Sequence, residues 1–177
     1  MELQPLSLEG VFLVHAKVAD DLRGSFLKTY HKDIFESEGI SFDYRESYYS
    51  VSKKNVVRGM HFQAPPADHD KLIYVTNGEI LDVIVDIRKS SATYGQALSV
   101  SLSALGNSLF IPKGFAHGFL TISESATVIY NVSTVYQPKN DQGILWSSLD
   151  FEWPVKDPIL SVRDKNFQSL QLFNTPF

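Results

Sequence analysis

The chain has 177 residues, 44% of them hydrophobic and 20% charged, with a net charge of −4, a pI near 5.7 and no cysteine. Such a composition describes one soluble globular domain that buries roughly 70% of its unfolded surface. It excludes disulfides and thiolate chemistry, argues against a nucleic-acid partner because no basic cluster is present, and leaves no apolar run of the ~18 residues a membrane span needs.

Taken in order, Val11–Val14 reads as a short strand, followed by Lys17–Ala19. A turn cluster over Asp20–Phe26 feeds a second alternating run, Phe26–Tyr30. Asp33–Glu38 is a short helix stopped by Gly39. β-formers then recur at short intervals: Tyr44–Val51, Val56–Phe62, Lys71–Val75, Glu79–Ile87, Ala97–Leu102, Ser108–Ile111, Gly118–Ile122 and Thr127–Tyr136. Turn signals separate them, and Asn77-Gly78 between two apolar runs predicts a hairpin. Many short strands so spaced predict an all-β sandwich or barrel. In the tail, Phe167, Leu170 and Phe173 at spacings of three predict an amphipathic helix over Asp164–Phe173. Eight Tyr, twelve Phe and two Trp suit a β-rich core or a stacking site. No repeat or linker divides the chain, so residues 1–177 are expected to form a single domain. Met1–Gly10 carries no basic segment leading into an apolar one, and the expected location is cytoplasmic.

The stretch Val57-Arg58-Gly59-Met60-His61-Phe62 draws the eye first. In a flat strand Arg58 and His61, three apart, would face opposite sides. Glycine within a strand marks a bulge or a close backbone approach, and a bulge at Gly59 would swing both side chains to one side. The plainer reading is a half-buried histidine with its tip hydrogen-bonded.

Further on, Gly106-(five residues)-Pro112-Lys113-Gly114-Phe115-Ala116-His117 resembles the second signature segment of the cupin superfamily. That resemblance implies a mainly β, cupin-type double-stranded β-helix, a jelly-roll sandwich or barrel. The asparagine that usually ends this segment is replaced by Thr121, and the His-x-His pair of the first segment is missing, with Phe62 and Gln63 after His61. His61, His117 and a carboxylate such as Asp82 remain a candidate facial triad for a metal-dependent cupin. His15, His31 and His69 lie in segments without ligand spacing.

Read together, the segments resemble the dTDP-4-dehydrorhamnose 3,5-epimerase family, from Asp21 to Asp164. The resemblance rests on Asp21-x-Arg23-Gly24-x-Phe26, Ser50-x-Ser52, Val57–Gln63, Lys71-Leu72 and Gly78-Glu79-x-x-Asp82-Val83-x-Val85-Asp86-x-Arg88. It continues through Ile111-Pro112-x-Gly114–Phe119, Tyr130-(five residues)-Tyr136-x-Pro138, Trp153-Pro154 and Leu160-Ser161-x-Arg163-Asp164. It implies a metal-free, cofactor-free isomerase that acts on a nucleotide-diphosphate-linked 4-keto-6-deoxyhexose in deoxysugar biosynthesis.

A ketone at C4 acidifies the C–H bonds at C3 and C5, so inversion needs a base on one face, an acid on the other and a partner for the enolate. His61 suits the base, since imidazole titrates near working pH. By resemblance Asp164 orients it; Ser161-Val162-Arg163-Asp164 also reads as a capping box. The resemblance makes Tyr130 the acid, where the alternative is a core tyrosine. It makes Lys71 the ammonium that steadies the enolate, where the alternative is a solvated strand end. Arg58 would face the diphosphate or sugar, His117 would line the cavity, and Tyr136 would contact the nucleotide or shape the sugar pocket. Arg23 and Phe26 would reach the nucleotide from the partner subunit of a homodimer, or would be a surface charge and a strand residue.

The chain departs from the family pattern at three places in the nucleotide-handling region. Lys28 stands where an acidic residue is usual, and Glu46 and Tyr48 replace Gln-x-Asn. Asn131 follows Tyr130 where lysine is usual. The base is therefore open among dTDP, CDP, UDP and GDP, and inversion is open between C3, C5 or both. A non-catalytic nucleotide-sugar-binding cupin is the remaining alternative.

Overall fold

The computed structural model describes residues 1–177 as a two-layer β-sandwich. The strands are β1 (Glu2–Pro5), β2 (Phe12–His15), β3 (Val18–Asp21), β4 (Gly24–Leu27), β5 (Glu46–Lys53), β6 (Val57–Gln63), β7 (Lys71–Asn77), β8 (Glu79–Asp86), β9 (Ala97–Ser103), β10 (Ser108–Ile111), β11 (Phe115–Thr121), β12 (Ser125–Val132) and β13 (Asp141–Gly143). One helix, α1 (Lys32–Ser37), precedes β5, and a single turn, α2 (Val162–Lys165), lies near the end. One sheet runs β1-β2-β10-β7-β12-β5, the other β13-β6-β11-β8-β9, and β3-β4 stands apart as a hairpin. From β5 to β8 the chain changes sheet at every step. This winding is the cupin-type jelly roll that the sequence predicts. No helix is long and apolar enough to cross a membrane.

Strand periodicity explains both the cores and the site. On β8, Ile80 and Ile84 enter the core between the sheets, while Val83 and Val85 enter a second core beneath the C-terminal segment. Asp82 has the parity of Ile80 and Ile84, so a carboxyl is carried into the space between the sheets and is fully buried there. The same rule places His117 between Phe115 and Phe119 on β11, and Tyr130 after Ala126 and Val128 on β12. It places Lys71 at the head of the Ile73–Val75 row on β7.

Two sequence expectations need correction. Asn77-Gly78 forms a tight turn, but β7 and β8 pair in different sheets, so it is a sandwich corner and not a hairpin. Gly78 has φ +79, and a Cβ there would sit 2.0 Å from the Ser125 carbonyl oxygen, which shows how tightly the corner packs on the β11–β12 connection. The tail is not a helix over Asp164–Phe173: α2 ends at Lys165, and the backbone beyond it bonds to the body instead. Leu145 N–H donates to Gln168 O, and Leu170 N–H to Ser148 Oγ. Phe167 caps Gly143, while Leu170 and Phe173 fill the second core. Spacing by three here reflects three separate sockets.

Candidate active site

The decisive local irregularity is at Gly59. Val57 and Met60, three apart, both enter the second core. The residues that follow each of them, Arg58 and His61, therefore both face the inside of the sandwich. Opposite them the β11 register slips, with His117 facing His61 and Phe119 facing Arg58, so two steps on β11 match three on β6. Gly59 has φ +139, and a Cβ on it would lie 2.5 Å from the Gly118 Cα. Only glycine fits that crossing. The bulge expected from sequence is thus present, and it turns the arginine and the histidine into one cavity.

That cavity, about 200 Å³, is lined by Arg58, His61 and His117 from one sheet and by Lys71 and Tyr130 from the other. Through His61, Lys71 and Tyr48 it continues into a second space of about 300 Å³ that includes Glu46, Tyr136 and Arg163. No group of three or more His, Cys, Asp or Glu side chains is placed to hold a metal ion. His61, His117 and Asp82 are not brought together as such a group: His61 Nε2 is hydrogen-bonded to Asp164, and His117 Nε2 to Asp82.

His61 Nε2 lies 2.8 Å from Asp164 Oδ1. Ser161 Oγ accepts the Asp164 N–H at 3.0 Å, so half of a capping box forms, but the carboxylate leaves it to serve His61 and the Gly59 N–H. Burial pushes the Asp164 pKa up, yet the His61 hydrogen bond, the imidazole's charge and the Gly59 N–H together hold it below the ordinary value. The carboxylate is therefore ionised, Nε2 carries the proton that it donates, and Nδ1 is left as the basic atom. The ring edge rests on Phe167, with centroids 5.7 Å apart.

Lys71 is buried, not a solvated strand end, and its Nζ donates to the His61 carbonyl at 3.0 Å. Burial lowers its pKa to about 8. Tyr130 is buried and stacks on Tyr48 with centroids 4.9 Å apart. Burial raises its pKa, so the phenol keeps its proton. His117 Nε2 lies 2.8 Å from Asp82 Oδ2, both fully enclosed. Arg58 Nε donates to Ser52 Oγ at 2.8 Å. Glu46 accepts the Tyr136 N–H at 2.6 Å, and the Tyr136 hydroxyl donates to Asp141, which also pairs with Arg163.

The structure does not bring Arg23, Phe26 or Lys28 to this cavity within one chain. Arg23 and Phe26 line a hollow on the β3–β4 hairpin, where Arg23 pairs with Asp21 and Phe26 is 66% exposed. Lys28 is exposed just past β4. Sequence reasoning missed His69, Asp141 and Arg163, all of which line the larger space. The available signal for His69 was its parity: in extended chain it shares a face with Lys71.

A family model described as dTDP-4-dehydrorhamnose 3,5-epimerase matches residues 5–171. The chain belongs to that family. A dTDP-4-dehydrorhamnose 3,5-epimerase of Shigella flexneri is 40% identical over 172 residues, covering 95% of this chain and 95% of its own. A dTDP-4-dehydrorhamnose 3-epimerase of Streptomyces niveus is 36% identical, covering 94% of this chain and 82% of its own. Among solved structures, a dTDP-6-deoxy-D-glucose-3,5-epimerase of Legionella pneumophila in complex with dTDP-4-keto-L-rhamnose superposes with a TM-score of 0.93 at 32% identity. That match covers 98% of this chain and 94% of the other. Relatives named for inversion at one centre and at two thus both align with more than nine-tenths of this chain.

Proposed function

We propose that this chain epimerises a nucleotide-diphosphate-linked 4-keto-6-deoxyhexose beside its C4 ketone, with His61 as base and Tyr130 as acid. What supports this reading is one arrangement: an imidazole from one sheet and a phenol from the other line the same cavity, with Lys71 between them. His61 Nδ1 takes the proton from C3 or C5, and the electron pair moves onto the C4 oxygen. The buried Lys71 ammonium stabilises that enolate. The Tyr130 hydroxyl then gives its proton to the opposite face of the same carbon, and solvent restores both groups. A phenol is a weak acid, but the enolate is a strong enough base to take its proton.

Arg58, with guanidinium hydrogens left after Ser52, takes the diphosphate or the sugar. Tyr48 joins the two spaces, and in the outer one, bordered by Glu46, Tyr136 contacts the nucleotide or shapes the sugar pocket. The β3–β4 hairpin carries Arg23 and Phe26 to the partner's site in a cytoplasmic homodimer, the commonest assembly for such folds.

Incubation in heavy water across dTDP-, CDP-, UDP- and GDP-4-keto-6-deoxyhexoses tests the reading. Deuterium should enter at C3, C5 or both with one nucleotide preferred, and His61→Ala should lose exchange at least ~10³-fold. Binding without exchange in the wild type would make the chain a sugar-binding module instead. Exchange that persists in His61→Ala would remove His61 as base.

A further inference from the structure

His69 lies two residues before Lys71 and lines the larger space together with Glu46 and Asp141. Its hydrogen-bond surroundings fix which nitrogen carries the proton. The neighbouring Gln63 amide is oriented without ambiguity: its Oε1 accepts the Gln137 N–H at 2.6 Å, and its Nε2 donates to the Ala67 carbonyl at 2.8 Å. For the second hydrogen of Gln63 Nε2, His69 Nδ1 at 3.1 Å is nearer than Thr134 Oγ1 at 3.3 Å or the Val135 carbonyl at 3.5 Å. The Thr134 hydroxyl, 3.3 Å from the same nitrogen, has already given its hydrogen to the Ala67 carbonyl at 2.8 Å. The shorter contact makes Nδ1 the acceptor of the Gln63 amide, and we assign the ring proton to Nε2 on that geometry. Nε2 has no protein partner and is not among the buried unpartnered atoms, which leaves it to the cavity.

We propose that His69 is a specificity-determining residue whose Nε2–H binds a hydroxyl oxygen of the hexose beside Lys71. A hydroxyl is the acceptor of choice because it can also donate. The same space holds acceptors, with Glu46 using only its Oε2 on the Tyr136 N–H. A diphosphate would meet two carboxylates there and a single arginine already paired with Asp141. Burial, and after it the Lys71 ammonium nearby, pushes the His69 pKa down to about 3, so the donor stays neutral across working pH. This inference rests on the cavity being the hexose site.

The test has two arms. In the free enzyme, nitrogen NMR of the imidazole should report the Nε2–H form unchanged from pH 5 to 9. A ring that titrates near the ordinary histidine value, or carries its proton on Nδ1, overturns the proposal. In the second arm, His69→Phe should lower kcat/KM about 10-fold, and His69→Gln, which keeps an N–H donor, should recover most of it. Substrate analogues lacking the C2 or the C3 hydroxyl then separate binding from mere packing. The wild type should lose about 10-fold on one of them, and His69→Phe should lose nothing further on that one. Equal losses for both enzymes on both analogues would overturn the proposal. Deuterium exchange by the wild type runs in the same samples, so failure of the epimerase reading is seen separately.

Discussion

Two histidine–carboxylate pairs sit side by side on β6 and β11, each with a 2.8 Å contact, and their surroundings give them opposite characters. In the His61–Asp164 pair the imidazole is partly open to the cavity, and the carboxyl is held below its ordinary pKa. In the His117–Asp82 pair both members are enclosed. There burial raises the Asp82 pKa and lowers that of His117 against their mutual attraction, so both shifts favour the uncharged forms. Asp82 Oδ1 has no partner at all, an expensive position for an anion and a tolerable one for a carboxylic acid. Identical residue types at identical distance thus yield a base backed by an anion in one case and a neutral, rigid wall in the other. Geometry within the pair does not distinguish them; the dielectric and the remaining hydrogen bonds do.

The comparison breaks most decisively at Asp164. Asp164→Asn removes the charge that stabilises imidazolium and lets the side chain present an N–H where His61 needs an acceptor. By analogy with triad carboxylates, kcat should fall on the order of 10³–10⁴-fold with little change in KM, read by deuterium exchange at saturating substrate. A loss below about 10-fold would mean that Asp164 serves mainly as the partner of Ser161 at the head of α2.

Lys71 comes next. In the proposed mechanism its ammonium steadies the enolate, and its pKa is lowered from 10.5 to about 8. The charged form is therefore lost as pH rises through about 8, and kcat/KM of the free enzyme should fall on that alkaline side. Lys71→Met should cost roughly 10²-fold or more and abolish that limb. The sign for stability is opposite. A depressed lysine pKa means that the folded state binds the proton less well than the unfolded chain. Folding is thus penalised below about pH 8, and the penalty fades between there and the unfolded value. Lys71→Met should raise Tm at pH 7 while it lowers activity. A variant with lower Tm and an intact alkaline limb would place Lys71 outside the chemistry.

How much of this was legible in the sequence differs between strands and tail. Period-two alternation on β7, β8, β11 and β12 was readable, and it alone carries Lys71, Asp82, His117 and Tyr130 inward. Gly59 announced the bulge that aligns Arg58 with His61. What failed were inferences in which local pattern competes with distant partners. Asn77-Gly78 specifies a turn, but which sheet each flanking strand joins is decided by β10, β11 and β12 far along the chain. Phe167, Leu170 and Phe173 have helical spacing, yet Gly143 and the second core claim them one by one. His69 went unread because nothing near it in sequence looks like a site, and its tautomer is fixed by Gln63, itself oriented by Gln137.

The smallest expected effect is the sharpest test of the two-pair contrast. Asp82→Asn keeps volume and gives His117 Nε2 an N–H donor in place of the carboxylic O–H, so kcat/KM should change by less than about 5-fold. Its finer readout is the alkaline limb set by Lys71. An ionised Asp82 would hold the Lys71 pKa up, and its removal would move that limb to lower pH; a protonated Asp82 exerts no such pull, and the limb should stay where the wild type has it. A limb displaced by a full pH unit would show that the buried carboxyl is an anion after all. The enclosed pair would then be a second charged dyad, sharing the work of tuning Lys71 with Asp141.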